Sequence, residues 1–402
     1  MQIIGITELT EACLIILLMR SGPIWSGTCS LNIDMLSLFQ HRWILVYSMF
    51  AAISWNCTDS ASKDISWILG PFEKLDSVNP ILGPSDTLKF HCPVLDSLIG
   101  WAEKDVFNPA VVTKDDTVCM VFRAEDMIGK YHGTSRLGLA MSSNGYHFIA
   151  VSNPILYPDH DSMFLLEWEG GIEDPRVVER EDGLFVMTYT AYDGDRARLC
   201  VASSPDLRHW TKHGLVLGDQ HKDTWSKAGA IVCSIEEGRL KATQIEGRYW
   251  MYWGDKHVYA CTSKDLIHWD PVYANDGELH IVFGPRKGYF DSDLVEPGPS
   301  PILTADGIVL LYNSRNAEML GDDDLPAFTY SAGQILLNKD DPLQVLDRTD
   351  SYFIRPDRPY EISGQIDQVV FIQGMVIFQD HWWLYYGTAD SKIAVATAPF
   401  DD

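Results

Sequence analysis

The chain has 402 residues, 46% of them hydrophobic, and a formal net charge of −25. This length and hydrophobic content allow a large core, and all-β proteins often use this much chain in one domain. The negative charge argues against nucleic acid and anionic membranes as partners, because both are bound through basic patches. It fits a protein that acts on a neutral ligand.

Residues 1–60 differ in composition from the rest, and we interpret them as a leader. An apolar run at residues 43–54 has the length of a signal-peptide core. No run reaches the roughly 18–20 apolar residues of a membrane span. The run lies far from the first residue, and a start at Met35 would make it an ordinary signal. We therefore expect export, to the periplasm or the medium, with residues 61–402 as the folded domain; an unstructured leader is the alternative.

Five aromatic segments with the alternation of β-strands recur at a spacing of about sixty to seventy residues. They cover residues 118–126, 185–193, 249–255, 308–316 and 382–390. Each precedes a second predicted strand rich in small residues, at 137–148, 199–210, 258–269, 330–337 and 393–397. No long stretch has the helical period. Five such units predict an all-β fold, a five-bladed β-propeller with four-stranded blades around a central channel.

Two of the second segments are near copies, in which a β run leads into Ser, Asp-Leu and His-Trp. We expect the Asp of each copy to cap a turn and the Trp to pack between blades. The repeated His209 and His268 are then part of the blade architecture and not metal ligands.

Two acidic, proline-containing turns are the candidates for catalysis. The first, residues 170–176, contains Glu173 and Asp174 before Pro175 and Arg176. The second contains Glu296 before Pro297, with Asp291 and Asp293 nearby as alternatives, and a further acid, Asp255, ends the third aromatic segment. Cutting a glycosidic bond needs two carboxyl groups, one to protonate the leaving oxygen and one to activate water or act as nucleophile. For each acid, a turn-capping or salt-bridged carboxylate is the alternative.

Further polar side chains near these segments could bind sugar hydroxyls, although each could equally form a surface ion pair. They are Arg123, Glu125, Asp126, Ser135, Arg136, Glu173, Arg176, Tyr192, Asp193, Arg198, Lys227 and Asp293. The chain has no P-loop, G-x-G-x-x-G, H-E-x-x-H or G-x-S-x-G motif, which disfavours nucleotide enzymes, zinc proteases and α/β-hydrolases. We expect neither a metal nor a cofactor.

Six motifs, in order and without large gaps, resemble glycoside hydrolase family 130 from about Phe72 to the C-terminus. They lie at residues 123–126, 135–140, 171–176, 188–193, 289–293 and 385–390. The resemblance implies a five-bladed propeller, in agreement with the repeat count. The family contains inverting β-mannoside phosphorylases and inverting β-1,2-mannosidases.

For the phosphorylase branch, the resemblance implies that Asp174 is the acid, relayed through a substrate hydroxyl. Arg198 and Lys227 match the arginine and lysine that hold phosphate. The family's phosphorylases also use a His-Arg pair, and this chain has Tyr-Trp-Gly-Asp at that place, residues 252–255. Half of the phosphate site is therefore absent.

For the hydrolase branch, the resemblance implies an acid after Trp-Gly and a glutamate before a Gly-Pro turn. Asp255 and Glu296 match these positions, although the first acid is a glutamate in the hydrolase pattern and is the shorter aspartate here.

We therefore expect a hydrolase that cleaves β-1,2-linked mannoside oligosaccharides with inversion. Glu296 and Asp255 would stand roughly 6.5–9.5 Å apart, with room for water. Asp174, with Arg176, would position the sugar or relay a proton. One alternative is a phosphorylase that takes inorganic phosphate, releases mannose 1-phosphate and acts in the cytoplasm. The other is a propeller that binds glycan without catalysis.

Overall fold

The computed structural model describes residues 67–131 and 133–400, and these residues are almost entirely β. The described helices are two four-residue segments, α1 Phe164–Glu167 and α2 Pro359–Ile362, with one 3₁₀ turn at Asp219–His221. None of them is long and apolar enough to cross a membrane. The all-β prediction is confirmed. The predicted leader lies outside the described residues, so export stays a prediction.

Most strands fall into five consecutive groups in which neighbouring strands are antiparallel. Three short strands precede the first group, namely β1 Glu73–Lys74, β2 Lys89–Cys92 and β3 Ser97–Gly100. The first group contains β4 Asp105–Lys114, β5 Thr117–Glu125, β6 Ser135–Ser142 and β7 Ile149–Ala150. The second contains β8 Gly171–Glu179, β9 Phe185–Tyr192, β10 Ala197–Ser204 and β11 Thr211–Leu215.

The third group is the most irregular, because short extra strands interrupt it. Its strands are β12 Ala230–Ile231, β16 Arg248–Trp253, β17 Val258–Ser263 and β18 Trp269–Pro271. The extra strands are β13 Cys233–Glu236, β14 Arg239–Ala242, β15 Gln244–Ile245 and β19 Ile281–Phe283.

The last two groups complete the set, and the fifth takes a strand from the start of the described chain. The fourth contains β20 Leu294–Pro297, β21 Ile302–Leu303, β22 Ile308–Arg315, β23 Tyr330–Leu337 and β24 Val345–Arg348. The fifth contains β25 Val370–Phe378, β26 His381–Thr388 and β27 Lys392–Pro399. β1 pairs with β27, with Glu73 opposite Thr397. These pairs do not form one closed sheet, but divide into sheets of 4, 15, 6 and 2 strands.

The predicted aromatic segments are confirmed as the strands β5, β9, β16, β22 and β26. Their aromatic and branched residues suit a pleated surface that is covered on both faces. They contribute to five hydrophobic clusters, and each cluster contains residues of two groups. Four clusters join successive groups, and the remaining one joins the fifth group to the first. Representative pairs are Val121 with Tyr189, Val201 with Trp253, Tyr252 with Tyr312, Leu311 with Tyr386, and Phe122 with Tyr385.

The repeated Ser-x-Asp-Leu turn has the predicted capping role. Asp206 Oδ1 accepts hydrogen bonds of 2.9 Å from the backbone N–H groups of Arg208 and His209. Its other oxygen lies 2.7 Å from Nδ1 of His209. The second copy has the same bonds around Asp265. These histidines therefore belong to the turn, as expected.

The first strands of several groups carry a polar residue at a break in pairing. The register of β4 shifts at Asn108 and that of β8 at Asp174, and both residues have positive φ, 48° and 47°. A proline follows each of them, as one follows Glu296 in β20. Such breaks turn a side chain out of the strand's regular alternation.

Hydrogen bonds tie these breaks together. Nε2 of Gln373, at the break in β25, donates to the carbonyls of Asn108 and Pro175 at 2.9 and 2.7 Å. The Arg176 guanidinium donates to the carbonyls of Pro297 and Gly298 at 2.5 and 2.9 Å. The first strands of groups one, two, four and five therefore converge, and they bring acids that are distant in sequence to one place.

Candidate active site

Asp174 lies at the centre of this convergence with its carboxylate buried. Its Oδ1 accepts hydrogen bonds from Asn108 Nδ2 at 2.8 Å and Arg123 Nη1 at 3.1 Å. Its Oδ2 lies 3.2 Å from Nζ of Lys227. Burial alone would raise the pKa of Asp174, but Lys227 and Arg123 outweigh it and hold the pKa well below its usual value. Asp174 is therefore a fixed anion.

Arg123 connects Asp174 with two further carboxylates. Its Nη2 donates to Glu125 at 2.7 Å and to Glu173 at 2.9 Å, and its Nε donates to Ser135 Oγ at 2.9 Å. Burial disfavours the charge of Arg123, but Glu173, Glu125 and Asp174 prevail and raise its pKa. For Glu173, burial outweighs Arg123 and raises the pKa to about 7. Four predicted site residues, Arg123, Ser135, Glu173 and Asp174, thus form one network.

Glu296 faces the same centre from the fourth group. Its Oε1 is buried and has no hydrogen-bond partner among the described residues. Arg176 Nη2 and Lys227 Nζ lie 3.8 and 3.7 Å away. Burial raises the pKa of Glu296 to about 7, because it outweighs the attraction of Lys227 and Arg176, and Asp255 and Asp174 add repulsion. Glu296 is therefore able to carry a proton near neutral pH.

Asp255 approaches from the third group, in the tight turn after β16. Gly254 before it has a φ of 123°, and a Cβ there would lie 2.1 Å from the carbonyl oxygen of His257. The half-buried Asp255 accepts a hydrogen bond of 2.8 Å on Oδ2 from Nε1 of Trp225. The charge of Asp255 contributes to the raised pKa values of Glu296 and Lys227. The third group therefore adds its acid to the same electrostatic cluster.

Three residues of the cluster were not among the predicted site residues. Asn108 bonds to Asp174, Trp225 bonds to Asp255, and Asp390 follows β26. Burial raises the pKa of Asp390 to about 7 against the attraction of Arg123, and Asp174 raises it further. Two of these had a signal: Asn108 precedes a proline as Asp174 and Glu296 do, and Asp390 ends a motif of the resemblance. Trp225 had none.

Asp126 and Arg136 form a separate, fully buried pair. Arg136 Nη1 lies 2.6 Å from Asp126 Oδ2, and the side chains are each 1% exposed. The other oxygen of Asp126 accepts the backbone N–H groups of Ile128, Gly129 and Thr134. The pair shares no hydrogen bond or ion pair with the acid cluster in the described part of the chain. Its contacts hold the loop between β5 and β6.

The remaining predicted residues also have local partners. Arg198 Nη1 lies 2.7 Å from Asp193, and Arg198 Nε donates to the carbonyl of Lys222 at 2.6 Å. The Tyr192 hydroxyl donates to the Gly194 carbonyl at 3.1 Å.

In the fourth group, Asp293 lies 2.5 Å from Arg315. The fully buried Asp291 is enclosed by Arg286 and Arg348, at 2.9 and 2.5 Å. Both contacts are made by Oδ2, which also accepts the Tyr312 hydroxyl, and Oδ1 accepts from Arg286 Nε at 3.2 Å, so Asp291 belongs to an arginine cluster of its own.

The cluster therefore combines an ionised carboxylate, Asp174, with an acid that titrates near neutrality, Glu296, and a more exposed acid, Asp255. Environments that separate the protonation states of neighbouring carboxyl groups are typical of general acid–base catalysis. Arg123, Arg176 and Lys227 supply the cations between them.

Comparison with known proteins agrees with this chemistry. Residues 100–402 match the profile of a family described as beta-1,4-mannooligosaccharide phosphorylase, Glyco_hydro_130. The chain is 30% identical to 1,2-beta-oligomannan phosphorylase of Thermoanaerobacter sp. (strain X514) over 312 residues, which cover 75% of this chain and 92% of that protein.

Two solved structures are more similar in sequence. One, at 43% identity and a TM-score of 0.81, covers 84% of this chain and 97% of its own. It is presented with the statement that this family of mannoside phosphorylases contains glycoside hydrolases that target β-1,2 mannosidic linkages in Candida mannan. The other is a glycosyl hydrolase from Bacteroides ovatus, at 44% identity, a TM-score of 0.81 and the same coverage.

Proposed function

Because the chain belongs to glycoside hydrolase family 130 and is an enzyme of β-mannoside metabolism, we propose that it hydrolyses β-mannosidic bonds, β-1,2-linked, with inversion. The observation that supports the choice of water over phosphate is the half-buried carboxylate of Asp255, held by Trp225, whose charge helps to raise the pKa values of Glu296 and Lys227. An additional carboxylate at this position would repel a phosphate dianion, whereas it can accept a proton from water.

The five groups would be the blades of a propeller around one axis. Two features support this arrangement: hydrophobic clusters join every successive pair of groups, and one more cluster joins the fifth group to the first. The pairing of β1 with β27 places both ends of the described chain in one sheet. The acid cluster would then lie at the axis, where the first strands meet.

In the proposed reaction, Asp255 accepts a proton from water while the water oxygen bonds to the anomeric carbon. The glycosidic C–O bond breaks, and Glu296 gives its proton to the leaving oxygen. The two carboxyl groups end with their protonation states exchanged, and a proton returned through solvent restores them. Asp174 stays ionised between Arg123 and Lys227 and holds a sugar hydroxyl. The inverted sugar leaves as free mannose.

The cations expected to hold phosphate have other partners. Lys227 lies between Asp174 and Glu296, at 3.2 and 3.7 Å. Arg198 is bonded to Asp193 and to the carbonyl of Lys222. Each of the two cations is thus already next to carboxylates of the protein itself, which weakens its attraction for a phosphate.

Phosphorolysis is the second candidate. The names of the curated relatives favour it, since they include 1,2-beta-oligomannan phosphorylase and beta-1,2-mannobiose phosphorylase. Both Arg198 and Lys227 are present in this chain. Binding without catalysis is disfavoured, because the relatives are named as enzymes.

The test is incubation of the purified protein with β-1,2-mannobiose, with and without inorganic phosphate, and with β-1,4-mannobiose in parallel. Free mannose formed at the same rate without phosphate is the expected result. If mannose 1-phosphate forms, and only when phosphate is present, the enzyme is a phosphorylase and the proposal of hydrolysis is wrong. If the enzyme releases mannose from the β-1,4 dimer alone, the proposal of hydrolysis stands and the proposed β-1,2 specificity is wrong.

A further inference from the structure

We propose that Trp225 is a positioning residue, which holds the carboxylate of Asp255 in the orientation needed to activate water. The inference rests on the proposed function and adds to it a residue that has no catalytic group. Its basis is the 2.8 Å hydrogen bond from Trp225 Nε1 to Asp255 Oδ2. With Oδ2 held in this way, Oδ1 is the oxygen left for water.

Asp255 needs such support, because little else fixes it. No ion pair within 4 Å is found for its carboxylate among the described residues, whereas Asp174 has two. The acid stands in the turn that Gly254 and His257 close, where it is half-buried and open to solvent. A solvent-exposed carboxylate samples several rotamers. A general base has to point at one water molecule, so every rotamer that points elsewhere lowers the rate of the reaction.

Trp225 is well placed to act as the support, since its own backbone neighbourhood is anchored. The next residue, Ser226, donates its N–H to the Ala197 carbonyl at 3.1 Å, and its Oγ accepts the N–H of Leu199 at 3.0 Å. The residue after that, Lys227, accepts the N–H of Gly254 at 2.9 Å on its carbonyl. The segment is therefore attached both to β10 and to the turn that carries Asp255.

Trp225 could instead serve only as a stacking surface for sugar, because the residue is 48% exposed. One substitution distinguishes the stacking role from the positioning role. Trp225→Phe keeps an aromatic ring and removes the N–H, so a stacking role survives it and a positioning role does not.

The matched control is Tyr273→Phe. The Tyr273 hydroxyl is bonded to His221 Nε2 at 2.6 Å, in the segment that leads to Trp225, and Tyr273 is itself 43% exposed. The change removes the hydroxyl's hydrogen bonds to His221 and Gln220, in the same segment, and leaves the bond to Asp255 in place. It therefore reports any effect that comes from loosening the segment as a whole.

The experiment measures kcat and KM for β-1,2-mannobiose in the wild type and both variants, with melting temperatures. For Trp225→Phe we expect kcat to fall roughly ten- to a hundredfold, because a hydrogen bond to a charged group is lost, with KM within about threefold of the wild type. Tyr273→Phe should keep the wild-type kcat.

Three results would overturn the inference while leaving the proposed function intact: an unchanged kcat in Trp225→Phe, a rise in KM alone, or equal losses in both variants. A wild type that cleaves no β-mannoside would instead remove the proposed function, and the role of Trp225 with it.

Discussion

The ammonium nitrogen of Lys227, whose side chain is 19% exposed, lies 3.2 Å from the buried carboxylate of Asp174. Burial opposes the charge of Lys227, but Glu296 and Asp174 prevail and raise its pKa. The lysine therefore keeps two neighbouring acids close together without a mobile counterion.

The first prediction is that Lys227→Met lowers kcat/KM for β-1,2-mannobiose by at least about a hundredfold, since it removes a preorganised charge from the reacting centre. Added phosphate should not change this ratio. Steady-state kinetics with and without phosphate checks both points. If the wild type needs phosphate and the variant mainly shows a higher KM for phosphate, Lys227 binds phosphate as in the second candidate function.

The second prediction separates the roles of the two catalytic acids. Glu296→Gln should reduce hydrolysis of β-1,2-mannobiose by roughly 10²–10⁴, the usual contribution of a general acid. It should affect an aryl β-mannoside with a good leaving group far less, because that group departs without a proton. Asp255→Asn should reduce the rates of both substrates. The opposite pattern, with Asp255→Asn sparing the aryl mannoside, would exchange the two assignments.

The third prediction concerns the pH profile. Glu296 has its pKa raised to about 7, chiefly by burial, and must be protonated to donate. We therefore expect kcat/KM of the wild type to fall above about pH 7, by roughly tenfold per pH unit. In Glu296→Gln this alkaline limb should disappear from the residual activity. A limb that persists in the variant belongs to another group.

The fourth prediction concerns stability. A carboxyl group whose pKa is raised on folding stabilises the protein below its unfolded pKa, and that contribution is lost as pH rises through the folded value. For Glu296 the window runs from about 4.5 to about 7. The difference in melting temperature, Glu296→Gln minus wild type, should therefore be a few degrees more positive at pH 8 than at pH 5. Scanning calorimetry of both proteins at the two pH values measures it.

Asp182→Asn is the control for this measurement. The hydrogen bonds from Arg180 lower the pKa of the exposed Asp182 to about 2, so its stabilising contribution is already complete at pH 5. The difference from the wild type should be the same at pH 5 and pH 8. A gain at pH 8 in both variants would show a general effect of removing negative charge from this acidic protein.

The fifth prediction distinguishes Arg136 from Arg123. Breaking the buried pair of Arg136 with Asp126 should lower the free energy of unfolding by about 3–5 kcal/mol. Arg136→Met should therefore unfold at lower urea concentration while KM stays near the wild-type value. Arg123→Met should raise KM or lower kcat, because Arg123 bonds directly to Asp174 and Glu173. A higher KM with unchanged stability in Arg136→Met would place Arg136 in contact with sugar.

The strands were predictable because their signal is local. The segment predicted at residues 185–193 is β9, Phe185–Tyr192, and the one at 330–337 is β23, Tyr330–Leu337. Alternation and aromatic content are properties of consecutive residues, so no tertiary contact is needed to detect them. The capping role of Asp206 was predictable for the same reason, as its bonds reach only three residues along the chain.

The partners of charged residues were not predictable in the same way. Arg123 and Arg136 stand in adjacent motifs and look alike in sequence, yet one joins the acid cluster and the other a buried pair of its own. Alternation puts odd and even positions on opposite faces, but which of the two arginines reaches the acid cluster depends on how the strands are paired and packed. Trp225 carried no signal, since it lies in a connection between strands and its partner Asp255 is 30 residues away in the chain.

The pairing of β1 with β27 has a consequence for biosynthesis. Glu73 is made more than three hundred residues before its partner Thr397, so on the ribosome the fifth group stays incomplete until β27 has been made. A nascent chain stalled or cut just before β27 would present β26 as an unpaired edge, which invites association with other chains. β27 is thus the strand on which two pairings wait, those with β1 and with β26.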